Sequence, residues 1–217
     1  MSSKLFYILV AATVLVLWVT AIYLFPFMPD QLAIHWNAQG GVDGYGGKFI
    51  GLFLIPILAL VFGVLFEVLP KIDPLKQNVS DFRREYNLMV FSILLLLAYF
   101  YLLSIVWNLG WQFNFSRFAA PAIGILFLLI GSILPRTKRN WFLGIRTPWT
   151  LSSDYVWKET HRIGGALFII AGIFSSISGI LFPAQSFFIV IAFVVLAVVW
   201  SLVYSYVLFR QEGKTSK

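Results

Sequence analysis

The stretch LMVFSILLLLAYFYLLSIVW, residues 88–107, runs for 20 residues without a formal charge. About 20 apolar residues is the length an α-helix needs to cross the hydrocarbon core of a bilayer. Outward from it lie five more runs of the same kind: 5–25, 49–69, 118–134, 163–182 and 187–209. One charge, Glu67, falls inside any of the six. A helix satisfies its own backbone in lipid, so each run is expected to be helical. The expected fold class is therefore all-α: a single membrane domain over 1–217 with six transmembrane helices.

Composition agrees. The chain of 217 residues is 60% apolar and 12% charged, against about 45–50% and about 25% in a soluble domain. That is more apolar surface than a water-soluble monomer can hide, which excludes an ordinary cytosolic enzyme. Disorder needs low hydrophobicity and is excluded too. No cysteine is present, which removes a disulfide framework, a thiolate metal site and a cysteine nucleophile together. The first run opens on Lys4 like a signal peptide. Its apolar core is too long, however, and no small-x-small cleavage site follows, so it reads as a retained helix.

Basic residues set the expected orientation. Lys4, Lys71, Lys76, Arg83, Arg84, Arg136, Lys138, Arg139, Arg146, Lys158, Arg162, Arg210, Lys214 and Lys217 fall on one side, and Lys48 and Arg117 on the other. The positive-inside rule then puts both termini in the cytoplasm of a plasma membrane. The tail, 211–217, is polar and expected to fray.

Within the runs, Ala171, Ser175 and Gly179 recur every four residues, a small-residue stripe suited to close helix approach. Pro56 is expected to kink the second run. Pro121 lies near the start of the fourth, where proline is tolerated. Glu67 reads either as an interfacial carboxylate reaching the headgroups or as a proton-coupling group.

Two loops carry chemistry-bearing residues. The external loop, 26–48, holds His35, Trp36, Asn37, Asp43, Tyr45 and Lys48 among five glycines in eight residues, Gly40 to Gly47. A flexible linker would be glycine and serine alone, so the loop is expected to fold as a compact cap. His35 and Asp43 are too few for structural zinc, which takes four ligands. The aromatic residues serve either as an interfacial anchor or in recognition of an external ligand. The internal loop, 135–162, has six basic residues against Asp154 and Glu159. A short amphipathic helix is expected from Ser152, capped by Ser152 or Ser153. It reads either as lying on the inner leaflet or as docking a cytosolic partner through Arg146, Trp149, Trp157, His161 and Arg162. His161 has no nucleophile motif or HExxH around it, and no catalytic residue, metal site or cofactor is expected.

The pattern Ile34-His35-Trp36-Asn37-x-x-Gly40-x-x-Asp43-Gly44-Tyr45-Gly46-x-Lys48 resembles the N-terminal signature of the SdpI family of bacterial six-helix membrane proteins. The pattern Gly144-x-Arg146-Thr147-Pro148-Trp149-Thr150-x-Ser152-x-x-x-Val156-Trp157-x-x-Thr160-His161-Arg162-x-Gly164-Gly165 resembles its C-terminal one. The resemblance implies immunity to a secreted toxic peptide. It also implies a receptor role, in which the toxin draws a small DNA-binding autorepressor to the membrane. The protein itself then contacts membrane lipids and no nucleic acid. The two motif loops follow the first and fourth runs, on opposite faces, which is the arrangement of a 3+3 inverted repeat. A transporter or exporter is the alternative function, favoured by such a repeat and disfavoured by the lack of membrane-embedded charge pairs.

Overall fold

A computed structural model describes residues 1–215, with side chains through Gly213; Ser216 and Lys217, part of the tail expected to fray, lie outside the described residues. The order is α1 (Ser3–Leu24), β1 (Gln31–Trp36), β2 (Val42–Gly47), α2 (Lys48–Ile72), α3 (Lys76–Asp81), α4 (Arg83–Asn108), α5 (Phe115–Ile133), a 3-10 turn (Leu134–Arg136), α6 (Pro148–Ser152), α7 (Asp154–Leu181) and α8 (Pro183–Thr215). Six of these, α1, α2, α4, α5, α7 and α8, are long and apolar enough to cross a membrane.

The helices group three and three. In the first group, α1, α2 and α4 pack through Leu17, Ala21, Leu52, Ala59, Leu94 and Tyr101. At one end of this group Glu67 accepts from Lys71 Nζ at 2.8 Å, Arg83 at 2.9 Å and the Tyr7 hydroxyl at 2.9 Å. The cluster ties the ends of all three helices together, as an interfacial carboxylate does.

The second group, α5, α7 and α8, packs differently. Gly131 and Gly165 face each other so closely that a Cβ on Gly165 would lie 2.6 Å from the Gly131 carbonyl oxygen. One turn pair along, a Cβ on Gly172 would lie 2.7 Å from the Gly124 oxygen. Both helices place their glycines seven residues apart, so an antiparallel pair keeps meeting glycine to glycine. Dispersion and close backbone approach, rather than hydrophobic burial, drive helix association in lipid. Of the Ala171–Ser175–Gly179 stripe, Gly179 joins this seam by packing on Pro121, and Ala171 and Ser175 are buried beside it on α7.

Three expectations change. The short helix from Ser152 does not stand alone. Thr147 caps a single turn, α6, and Ser153 caps α7, which then continues without a break to Leu181. Charge at Lys158, Glu159 and Arg162 ended the apolar run early, but backbone hydrogen bonding does not follow hydropathy. The fourth helix starts at Phe115, capped by Asn114, so Pro121 sits in its second turn rather than near its start. The polar tail is helical as far as Thr215, where α8 ends. The inverted repeat is not confirmed, because the loops at the two equivalent positions fold differently, one as a β-hairpin and the other as turns and α6.

Candidate functional site

The first motif folds as an antiparallel hairpin. Gln31 pairs with Gly47 and Ala33 with Tyr45, and the register shifts around His35. The turn between the strands is closed by Asn37. Its side-chain oxygen accepts from the backbone of Gln39 and Gly41, both at 3.0 Å. Gly40 adopts φ +83, a left-handed conformation that glycine enters without penalty.

Two asparagines outside the motif fix the hairpin to the bundle. Asn108, the last residue of α4, accepts from Ala33 N at 2.8 Å and donates to Ala33 O at 3.0 Å. It thereby pairs with β1 as a neighbouring strand would. Asn114 donates to Gln39 O at 2.6 Å, and Phe115 N donates to Gly40 O at 3.0 Å. The signal in the sequence was a pair of amides at the junction of two apolar runs, where a side chain has no lipid to meet. Asn108→Ala removes both bonds to Ala33 and is expected to cost about 1–3 kcal/mol locally. Amide exchange at Ala33 should quicken, while the six helices keep their melting behaviour.

With the backbone set, the motif side chains take definite places. His35 Nδ1 and Asp43 Oδ1 are 2.5 Å apart and both residues are exposed. No third histidine or carboxylate joins them among the described residues. Trp36 stacks on Phe115 at 4.2 Å between ring centroids and meets Trp107 edge-on at 6.1 Å. Its indole N–H is buried and has no hydrogen-bond partner among the described residues. Lys48 pairs with Asp30 at 3.0 Å and lies over the Phe25 ring. Tyr45 is 62% exposed. Beneath the hairpin is a cavity of about 300 Å³ walled by Ile34, Trp36, Leu54, Phe100 and Phe115, with His35 and Ser104 at its edge. It is an apolar recess lined by aromatic rings, which suits an apolar chain.

The second motif, at the opposite end of the bundle, is organised around a buried histidine. His161 Nε2 accepts from Ile145 N–H at 2.9 Å, and Nδ1 lies 2.8 Å from the Trp157 carbonyl. A carbonyl only accepts and an amide only donates, so the geometry defines the tautomer with the proton on Nδ1. The ring stacks on Trp157 at 4.0 Å, and the Trp157 indole donates to Thr137 O at 3.1 Å. Gly144, at φ +111, passes so close that a Cβ there would meet Nε2 at 2.5 Å. Asn140 closes the neighbouring turn by accepting from Phe142 and Leu143 N–H and donating to Lys138 and Leu143 carbonyls.

Cross-links bind this loop to both helix groups. Buried Asp73, after α2, accepts from Trp141 N at 2.9 Å, and Asn78 donates to Arg139 O. Thr147 donates to Ser205 of α8 at 3.0 Å, and Trp149 packs on Tyr206. The five partner residues expected from the sequence therefore divide. Trp157 and His161 are 2% and 0% exposed and shape the loop from inside. Arg146 and Arg162 are exposed and Trp149 is half-buried. Arg146 donates to Trp141 O at 2.6 Å, and Arg162 pairs with Glu159 at 2.9 Å. Asp73 and Asn140, which no sequence motif singled out, supply much of the hydrogen bonding together with Thr150.

A polytopic six-helix membrane protein, with a clasped hairpin at one end and a histidine-centred loop at the other, is the class these features define. Residues 136–205 match the SdpI/YfhL protein family, and residues 12–60 match a domain of unknown function, DUF1648. The chain is 24% identical over 189 residues to the immunity protein SdpI of Bacillus subtilis (strain 168), covering 87% of this chain and 88% of that one. These matches show the SdpI resemblance carried by the motifs. The loop motif lies in the segment that matches SdpI/YfhL, and the hairpin motif in the segment that matches DUF1648. No solved structure matches the chain.

Proposed function

We propose that this is a plasma-membrane immunity protein that confers resistance to a secreted toxic peptide through its hairpin face. The observation that carries this reading is the likeness to the immunity protein SdpI along nearly the full length of both chains. The hairpin supports it with accessible polar groups, His35 and Tyr45, beside an apolar recess. Producing the protein in a bacterium killed by such a peptide should raise survival. His35→Ala, Asn37→Ala and Asp43→Ala should each lower that survival at equal membrane abundance. Unchanged protection by all three would reduce the hairpin to scaffolding.

The hairpin faces outward and both termini are cytoplasmic in this reading, on the support of the fourteen-to-two division of Lys and Arg. The cysteine-free chain makes a direct test clean. A single cysteine at Gln39 should react with an impermeant thiol reagent on intact cells, and one at exposed Lys158 should not. The reverse pattern would invert the topology.

The loop face is the proposed site for a small cytosolic repressor, contacted by Arg146, Trp149 and Arg162 and positioned by Trp157 and His161. A planar guanidinium at a paired site is poorly replaced by an ammonium. Arg146→Lys should therefore reduce membrane retention of a fluorescent repressor while leaving peptide resistance largely in place. Full retention by this variant and by Arg162→Ala would move the partner site to the segment after α2, around Lys76 and Arg84.

A further inference from the structure

A further cavity belongs to neither motif. It is a groove of about 590 Å³ on the flank of the bundle, where α4 meets α5. Its walls are apolar, with Leu95, Leu96, Ile125, Leu126 and Leu129 along its length. Arg117 and Tyr99 stand at one end. The Tyr99 hydroxyl lies 3.4 Å from Phe118 O, closing that end over the first turn of α5.

Two observations define what fits. The first is charge. Lys48 and Arg117 are the basic residues on the hairpin side of the bundle, and Lys48 is paired with Asp30. The Arg117 guanidinium is exposed and has no hydrogen-bond or ion-pair partner among the described residues. The second is depth. From Arg117 to Leu129 is twelve helical residues, about 18 Å at 1.5 Å per residue. One leaflet is half of a hydrocarbon core about 30 Å thick. A peptide helix crossing the membrane would need the full thickness, whereas a lipid chain needs half. We infer that the α4–α5 groove holds one anionic phospholipid, with an acyl chain along Leu95, Ile125 and Leu129 and its phosphate on Arg117. The proposed immunity function is not needed for this site, and the proposed orientation serves only to name the leaflet, the outer one.

The test uses the full chain, purified in detergent and supplied separately with phosphatidylglycerol, phosphatidylcholine or chain-free glycerol phosphate. Retained molecules are counted by native mass spectrometry. One basic residue at the surface is worth roughly five-fold in binding an anionic lipid. The expected result is one retained phosphatidylglycerol, favoured roughly five-fold over phosphatidylcholine, with no retention of glycerol phosphate. Arg117→Gln should abolish the preference while an unselected lipid stays in the groove, and Ala122→Trp should empty it. Arg117 is exposed, so its variant carries the test even if Ala122→Trp does not fold. Equal retention of the two lipids by the unaltered protein, or an undiminished preference in Arg117→Gln, would overturn the proposal. Retention of glycerol phosphate alone would also overturn it, by making the site one for free phosphate.

Discussion

Gly165→Leu is expected to abolish the folded protein in detergent or to lower its yield severely, with the loss traced to separation of α5 from α7. At this position the neighbour is not a side chain that can rotate away. A Cβ would meet the Gly131 carbonyl oxygen at 2.6 Å and the Pro135 ring at 3.0 Å, both fixed by helix geometry. Inserting methylenes into a close-packed interior costs about 1–3 kcal/mol when the surroundings can adjust, and here they cannot without parting the helices. Gly131→Leu should behave alike, since the same contact is met from the other side. The pair should not add, because once the seam has opened the second substitution meets no one. Gly47→Ala is the control, as nothing lies within 4 Å of a Cβ there. The measurement is the monodisperse fraction in size-exclusion chromatography of a fluorescent fusion. Normal recovery of both leucine variants would mean that α5 and α7 do not rely on the glycine seam.

The same seam bears on how a signal would cross the molecule. A stripe of small residues is readily taken as a licence for a helix to tilt. Glycine against glycine in two places does the opposite, because it lets carbonyls and backbone approach until there is no slack. With α7 continuous from Asp154 to Leu181, there is also no joint at His161 and Arg162 about which it would turn. Movement between the ends of the molecule falls more naturally at the α4–α5 boundary, where the two helix groups meet through side chains and a groove.

What the sequence revealed follows from which physical signals are local. Six spans were legible because charge is excluded from lipid and the exclusion shows in every run. Of the α5–α7 seam only Gly179 was legible, as the end of the Ala171–Ser175–Gly179 stripe. Gly165 and Gly172 on α7, and Gly124 and Gly131 on α5, acquire meaning only when the two helices are known to be neighbours. The strands of the hairpin were not legible. The second, VDGYGG, has three glycines in six residues, and glycine weakens a strand. What holds it is pairing with β1, which is itself fixed at Ala33 by the Asn108 amide 75 residues away, a contact no local pattern announces. His161 was misplaced for a related reason. With Lys158, Glu159 and Arg162 as neighbours it reads as part of a solvated face, yet Trp157, Thr160, His161, Gly164 and Gly165 form the buried side of α7. The recoverable signal was the spacing of four between Trp157 and His161, together with a glycine, Gly144, in the loop they face.

His161→Ala is therefore expected to be the most damaging single change in the loop. It strands the Ile145 N–H, which costs about 1–3 kcal/mol. It also leaves a void against Trp157 in a site that is fully buried, and truncating a buried aromatic side chain to alanine costs about 3–5 kcal/mol. His161→Phe keeps the stacking and leaves no void. A phenyl ring accepts nothing and is larger than imidazole, so its loss should be the hydrogen-bond part, about 1–3 kcal/mol, plus crowding against the close Gly144 backbone, about 1–3 kcal/mol. Limited trypsin digestion at Lys138, Arg139 and Arg146 reads the loop directly, and cleavage should rise in the order unaltered, Phe, Ala. Equal protection of the loop in the alanine variant would show that His161 does not hold it. The hairpin is separated from this loop by the thickness of the membrane core, about 30 Å, and shares no hydrogen bond with it. Peptide resistance should thus survive His161→Phe while recruitment of a cytosolic repressor falls in step with loop cleavage. Loss of both activities together, with the helices still folded, would mean that the two ends are coupled through the bundle. In that case the α4–α5 boundary, rather than either motif, becomes the place to look for the moving part.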